Sequence, residues 1–116
     1  MGKNISSINE QLYDNKCPLL CAMDIFDSKW KLPIIWYIND NENHKLRYKE
    51  LQRKLILITP TMLTKCLREL EHDKMIKRTQ FDTIPPTVEY SLTTLGESLI
   101  PALNSLFEWA ESNIAK

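Results

Sequence analysis

Few residues in this chain are equipped for chemistry, and their spacing narrows what that chemistry can be. Cysteines stand at 17, 21 and 66, histidines at 44 and 72, and the only glycines are Gly2 and Gly96. Cys17-x-x-x-Cys21 lacks the second pair that a tetrahedral zinc site needs, and His44 and His72 stand alone. Two distant glycines cannot build a phosphate-cradling loop, and no acid–base cluster has catalytic spacing. The reading is therefore of a protein that is not an enzyme and carries no cofactor or metal. Cys17 is the exception with chemical potential. Pro18 after it suits the first position of a helix, and a thiol placed there meets the positive end of the helix dipole with Lys16 beside it, which favours thiolate. Cys17 is accordingly a candidate reactive thiol. Cys21, one turn on, is either a resolving partner or a buried structural thiol, and Cys66 reads as packing. An odd cysteine count at irregular spacing fits reduced thiols better than a disulfide framework.

The second chemistry is electrostatic. The net charge is zero, yet residues 45–78 hold ten basic side chains against four acidic ones, while the segments on either side are net acidic. A chain so divided can turn one positive face to phosphates and keep its other surfaces acidic. The candidate DNA contacts are Arg47, Lys49, Thr59, Thr61, Thr64, Lys65, Arg68, Lys77, Arg78 and Thr87.

Positioning these residues requires particular elements. A helix is expected from about Thr59 to Asp73, because Thr59 is a good N-cap and Pro60 fits the first turn. At 100° per residue, Leu63, Leu67 and Leu70 share one side with Met62 and Cys66 flanking, and Thr61, Thr64, Lys65 and Arg68 lie opposite. A two-turn helix over Tyr48 to Leu55 precedes it, and two such helices joined by a tight connector make a helix-turn-helix. Extended stretches over Ile76–Phe81 and Val88–Leu92 flank Pro85-Pro86 and predict a hairpin with a stiff tip, the wing. Leu46-Arg47-Tyr48 reads as a short strand. Upstream, a short amphipathic helix is expected within residues 1–16, a second from Pro18 to about Asp27, and a third capped by Asp27 or Ser28 and carrying Trp30, Ile34, Ile35 and Ile38. Downstream, a helix over 93–113, opened by Thr93 or by a Thr94-x-x-Glu97 capping box and kinked at Pro101, carries more apolar surface than one small domain can cover. That surplus predicts a second chain. The fold class expected is mainly α with a small β-hairpin, one winged helix-turn-helix domain over 1–116. The longest uncharged apolar run, Leu32 to Ile38, is far short of the ~20 residues of a membrane span, and the N-terminus has no signal-like pattern, so no membrane partner and a cytoplasmic location are expected.

Cys17-Pro18-Leu19, Ser28-Lys29-Trp30-Lys31, Arg47-Tyr48-Lys49-Glu50-Leu51, Met62-Leu63-Thr64, Leu67-Arg68-Glu69-Leu70-Glu71 and the run Pro85 to Gly96 occur together in an order and spacing that resembles the HxlR family of bacterial winged-helix regulators, from Cys17 to about Trp109. The resemblance implies a homodimer built from the N- and C-terminal helices, with two recognition helices in successive major grooves of a pseudo-palindromic operator in double-stranded DNA. It implies a transcriptional regulator, read here as a repressor, with Cys17 at the position that senses oxidants or electrophiles in several members. Two departures stand out. Thr87 occupies a place where many relatives are basic, so the wing's contact is either weaker or supplied by Lys77 and Arg78, and Asp27-Ser28 replaces glycines before the Lys-Trp pair. The alternatives are a winged-helix module that binds protein, and a ligand-responsive regulator without a thiol switch, whose small-molecule pocket would draw on Trp30, Trp36, Tyr37 and Trp109 unless these pack the core.

Overall fold

The computed structural model describes residues 17–115, and the helix expected within 1–16 lies outside them. The elements run α1 (Pro18–Ile25), α2 (Lys31–Asp40), β1 (Lys45–Arg47), α3 (Tyr48–Leu55), α4 (Pro60–His72), β2 (Ile76–Phe81), β3 (Thr87–Leu92), α5 (Thr94–Ser98) and α6 (Ile100–Asn113). The antiparallel sheet has the order β1-β3-β2, so the hairpin β2–β3 carries β1 on its inner edge. This is the winged helix-turn-helix expected from the sequence, mostly helical with one small sheet.

The core assembles around α2. Ile34, Ile35 and Ile38 are fully buried there and meet Leu51 of α3, Leu63 and Leu70 of α4, and Leu46 and Ile76 of the sheet. Spacing explains the choice: residues three and four apart share a helix face, and Leu46 projects inward while its neighbours in the strand point out. Each fully buried aliphatic side chain contributes roughly 1.5–3 kcal/mol, so the leucines of α4 anchor that helix firmly while its opposite face stays in solvent. No helix among the described residues is long and apolar enough to cross a membrane.

Two local expectations are revised and one open alternative is decided. Helix α2 starts at Lys31 with Trp30 as N-cap and no side-chain cap, rather than being capped by Asp27 or Ser28. Ser28 Oγ instead accepts the Trp30 N–H at 3.1 Å within the turn, and Asp27 is taken by Lys31. The C-terminal helix is interrupted, not kinked. Pro101 has no N–H for the Glu97 carbonyl, so α5 ends at Ser98 and a new helix begins at Ile100, where a proline in the first turn is tolerated. Thr93, not Thr94, caps α5. Its hydroxyl accepts the Gly96 N–H at 3.0 Å and also reaches the Lys74 carbonyl at 2.5 Å, so a tertiary contact with the turn before β2 selects the cap.

Candidate nucleic-acid interface

Helix α4 is built as a platform. Thr59 Oγ1 accepts the Met62 N–H at 3.1 Å, satisfying one of the free donors at the helix start, and Pro60 follows as expected. Leu63, Cys66, Leu67 and Leu70 are buried, and Thr61, Lys65 and Arg68 are exposed on the other side. Thr64 belongs to neither group. It is half-buried, and its hydroxyl lies 3.2 Å from that of Tyr48, which also donates to the Pro60 carbonyl at 3.0 Å. A phenol has one hydrogen, so Thr64 is the donor to Tyr48. Tyr48, at the first position of α3, thereby clamps the two helices of the motif together across their turn, a role the sequence reading missed.

Beside α4 runs an open groove of about 400 Å³, with Arg68 and Glu71 on the helix side and Arg78 on the β2 side. Arg78 thus joins Arg68. Lys77 does not. In β2, Lys77 pairs with Ser91 and Arg78 with Tyr90, and adjacent residues of a strand point to opposite faces. Tyr90 is buried toward the helices, so Lys77 projects from the far side with Lys45, which also pairs with Ser91. Arg47 aligns with Glu89 on that outer side as well. Lys49 is exposed in the first turn of α3. The expected cationic set is therefore divided. Arg68, Arg78 and Lys65 accompany α4, and Arg47 and Lys77 lie on the outer face of the sheet.

The wing tip carries no basic side chain between Phe81 and Thr87. Thr83 Oγ1 donates to the Pro85 carbonyl at 2.6 Å and lies 2.8 Å from Thr87 Oγ1, so Thr87 spends its hydroxyl closing the tip.

A further group that the sequence reading missed stands behind α4. Lys31 is buried, and its ammonium pairs with Asp27 at 3.0 Å and with Glu69 of α4 at 2.7 Å. Burial is the largest influence on Lys31 and opposes its charge, but the hydrogen bonds it donates to Glu69 and Asp27 outweigh it and hold the ammonium above its ordinary range. The hydrogen bond from Lys31 holds the Asp27 carboxyl below its ordinary value. The Asp27–Lys31 spacing of four residues was a readable signal; Glu69, far along the chain, was not.

Cys17 is exposed at the N-cap of α1, where its sulfur accepts the Leu19 N–H at 3.4 Å. Cys21 is half-buried, and Cys66 is buried with its sulfur 3.5 Å from Ser28 Oγ. The aromatic residues weighed for a ligand pocket mostly pack: Trp36 stacks on Phe107 at 4.7 Å and meets Tyr37 edge-on at 5.6 Å. Trp109 is exposed.

Comparison with known proteins agrees with this geometry. The HxlR-like helix-turn-helix family matches residues 25–116. The HTH-type transcriptional regulator YybR of Bacillus subtilis strain 168 is 39% identical over 109 residues, 92% of this chain and 85% of its own. The crystal structure of a MarR-family regulator from Porphyromonas gingivalis W83 superposes with a TM-score of 0.78 at 39% identity, covering 84% of this chain and 93% of that one. The redox regulator HypR in its oxidised form superposes with a TM-score of 0.77 at 40% identity, covering 84% and 97%.

Proposed function

The chain belongs to the HxlR family of helix-turn-helix transcriptional regulators, and from that premise we propose that it is a homodimeric repressor that reads a pseudo-palindromic operator in double-stranded DNA through α4. One observation carries the reading: α4 is capped, clamped by Tyr48 and anchored by four buried side chains, while Thr61, Lys65 and Arg68 face solvent beside Arg78. A helix that enters a major groove needs that division between anchorage and free hydrogen-bond donors. Phosphate contact from Lys65 and Arg78 supplies affinity, and Arg68 with Thr61 supplies contact to base edges.

The dimer rests on α1 and α6. Of the twelve large apolar side chains exposed among the described residues, Leu19, Leu20, Met23, Leu106, Phe107, Trp109 and Ile114 lie on these two helices or directly after them. Helix α1 buries no residue of its own against the rest of the chain. Apolar surface concentrated in this way fits association with a second copy.

Thiol control is the second element of the proposal. Cys17 is an exposed thiol on the helix assigned to the dimer contact, and the similar protein HypR is a redox regulator. Oxidation at Cys17 would then act on the spacing of the two α4 helices.

The test is a fluorescence-anisotropy titration of the purified protein against its own upstream promoter region and a scrambled duplex, at two salt concentrations, with and without diamide. Preferential, salt-dependent binding is expected, weakened by diamide in the wild type and not in Cys17→Ser. Equal release of the serine variant refutes the thiol switch and leaves the regulator. Absence of DNA binding at any salt would move the molecule to a protein-binding role.

A further inference from the structure

Lys31 is the one buried charged side chain among the described residues, 2% exposed, and the proposed DNA contact makes no use of it. Its ammonium meets three oxygens: it donates to the Ile25 carbonyl at the end of α1 at 3.1 Å and to Asp27 Oδ1 in the following turn at 3.0 Å, and it forms an ion pair with Glu69 Oε1 on α4 at 2.7 Å. Satisfaction of this kind makes burial tolerable, yet apolar residues in place of a whole ion-pair network are often about as stable. Stability alone therefore does not explain a lysine here. Direction does. Oxygens from the end of one helix, from a turn and from the flank of another helix leave the ammonium a single position, and a hydrophobic contact can slide where this one cannot. Glu69 also lies one helical turn from Lys65, and its second oxygen is 4.0 Å from the Lys65 ammonium.

We infer that Lys31 is a positioning residue for DNA recognition: by tying Glu69 to the end of α1 it fixes the rotation of α4 about its own axis and makes the helix that starts at Cys17 and the helix that reads DNA move as one body. The inference rests on the reading of α4 as the recognition helix. It gives the apolar dimer helix a polar linkage to α4 that does not pass through the hydrophobic core.

Two variants test it, since one alone could be lost to misfolding. Lys31→Met keeps the length of the side chain, and Glu69→Gln keeps the shape of a half-exposed one. Three readouts are taken on each: promoter against scrambled-duplex binding, the midpoint of urea unfolding, and amide hydrogen exchange of the free protein. Each variant is expected to weaken promoter binding about tenfold, equivalent to about 1.4 kcal/mol, with little change on the scrambled duplex; the urea midpoint falls by the share the ion pairs contribute, more in Lys31→Met than in Glu69→Gln. The double variant should be no weaker than either single one, because both remove the same link. Exchange should quicken in α4 and in residues 25–31 and stay unchanged in the sheet. Lys31→Arg, able to reach both carboxylates, should restore part of the promoter preference. A purely structural role would lower both duplexes together with the urea midpoint, and that pattern overturns the inference. So does an unchanged promoter preference in Glu69→Gln, or additive losses in the double variant. If the wild type itself shows no promoter preference, the DNA reading has failed separately, and the exchange data decide alone: faster exchange in α4 supports the link, and unchanged exchange in both variants overturns it.

Discussion

Gly96→Ala is the substitution whose outcome the structure fixes most firmly. Gly96 is buried inside α5, and a Cβ built on it would fall on the Met75 backbone carbonyl, its oxygen first and then its carbon at 3.3 Å. Helix propensity alone predicts the opposite sign, since Ala in a helix is favoured over Gly by about 1 kcal/mol. The obstacle is backbone, which cannot rotate away, and the same carbonyl accepts the Thr93 N–H at 3.1 Å. Relief requires α5 to withdraw from the turn before β2. Overpacking of this kind costs about 1–3 kcal/mol, and loosening the Thr93 bonds adds about 1 kcal/mol. After the propensity gain, a net loss of about 1–3 kcal/mol is expected, which for a domain near 100 residues lowers Tm by about 4–24 °C. Urea unfolding of the wild type and the variant gives the difference directly. A variant as stable as the wild type, or more so, would refute the close approach and with it the assignment of Gly96 to packing.

Ile56 ends α3 with φ 52° and ψ −65°, a conformation that costs a β-branched residue about 1–3 kcal/mol, and its side chain is 78% exposed. Ile56→Gly should therefore raise stability by about 1 kcal/mol in urea unfolding after allowing for glycine's looser unfolded chain; a loss would mean the side chain is needed. Arg68→Ala should weaken promoter binding by about 1–3 kcal/mol and flatten the preference at one base position, whereas a uniform loss with a shallower salt dependence would assign it to phosphate. The Lys31 network sets a pH dependence. Asp27 titrates below its ordinary 3.8, so its stabilising share is complete above that value and is lost as pH falls through the lower folded-state value. Lys31 titrates above its ordinary 10.5, so its share is present below that value and is lost as pH rises past the folded-state value. The stability gap between wild type and Asp27→Asn should be flat near neutrality and close in acid; a gap that persists at low pH would refute the pairing.

Local signals were legible and distant ones were not. Thr59-Pro60 announced the start of α4, and the apolar spacing that followed placed Leu63, Leu67 and Leu70 inward, because cap and periodicity are properties of a few adjacent residues. The hairpin was legible from its proline pair. Strand alternation should have separated Lys77 from Arg78, and grouping them by charge alone hid it. Thr64 looked free because its partner, Tyr48, lies across a turn whose geometry the sequence does not contain. The cap at Thr93 and the third arm of Lys31 depend on Lys74 and Glu69 respectively, contacts made only once the helices have packed.

The closed tip of the wing has a consequence for any surface it meets. Fixing one residue's backbone costs about 1–2 kcal/mol of conformational entropy, and a loose loop of the same length would incur that cost on docking. Here the threonine pair and the two prolines have already incurred it during folding. The tip can therefore contribute to an encounter through shape alone, with no cation to hold it in place.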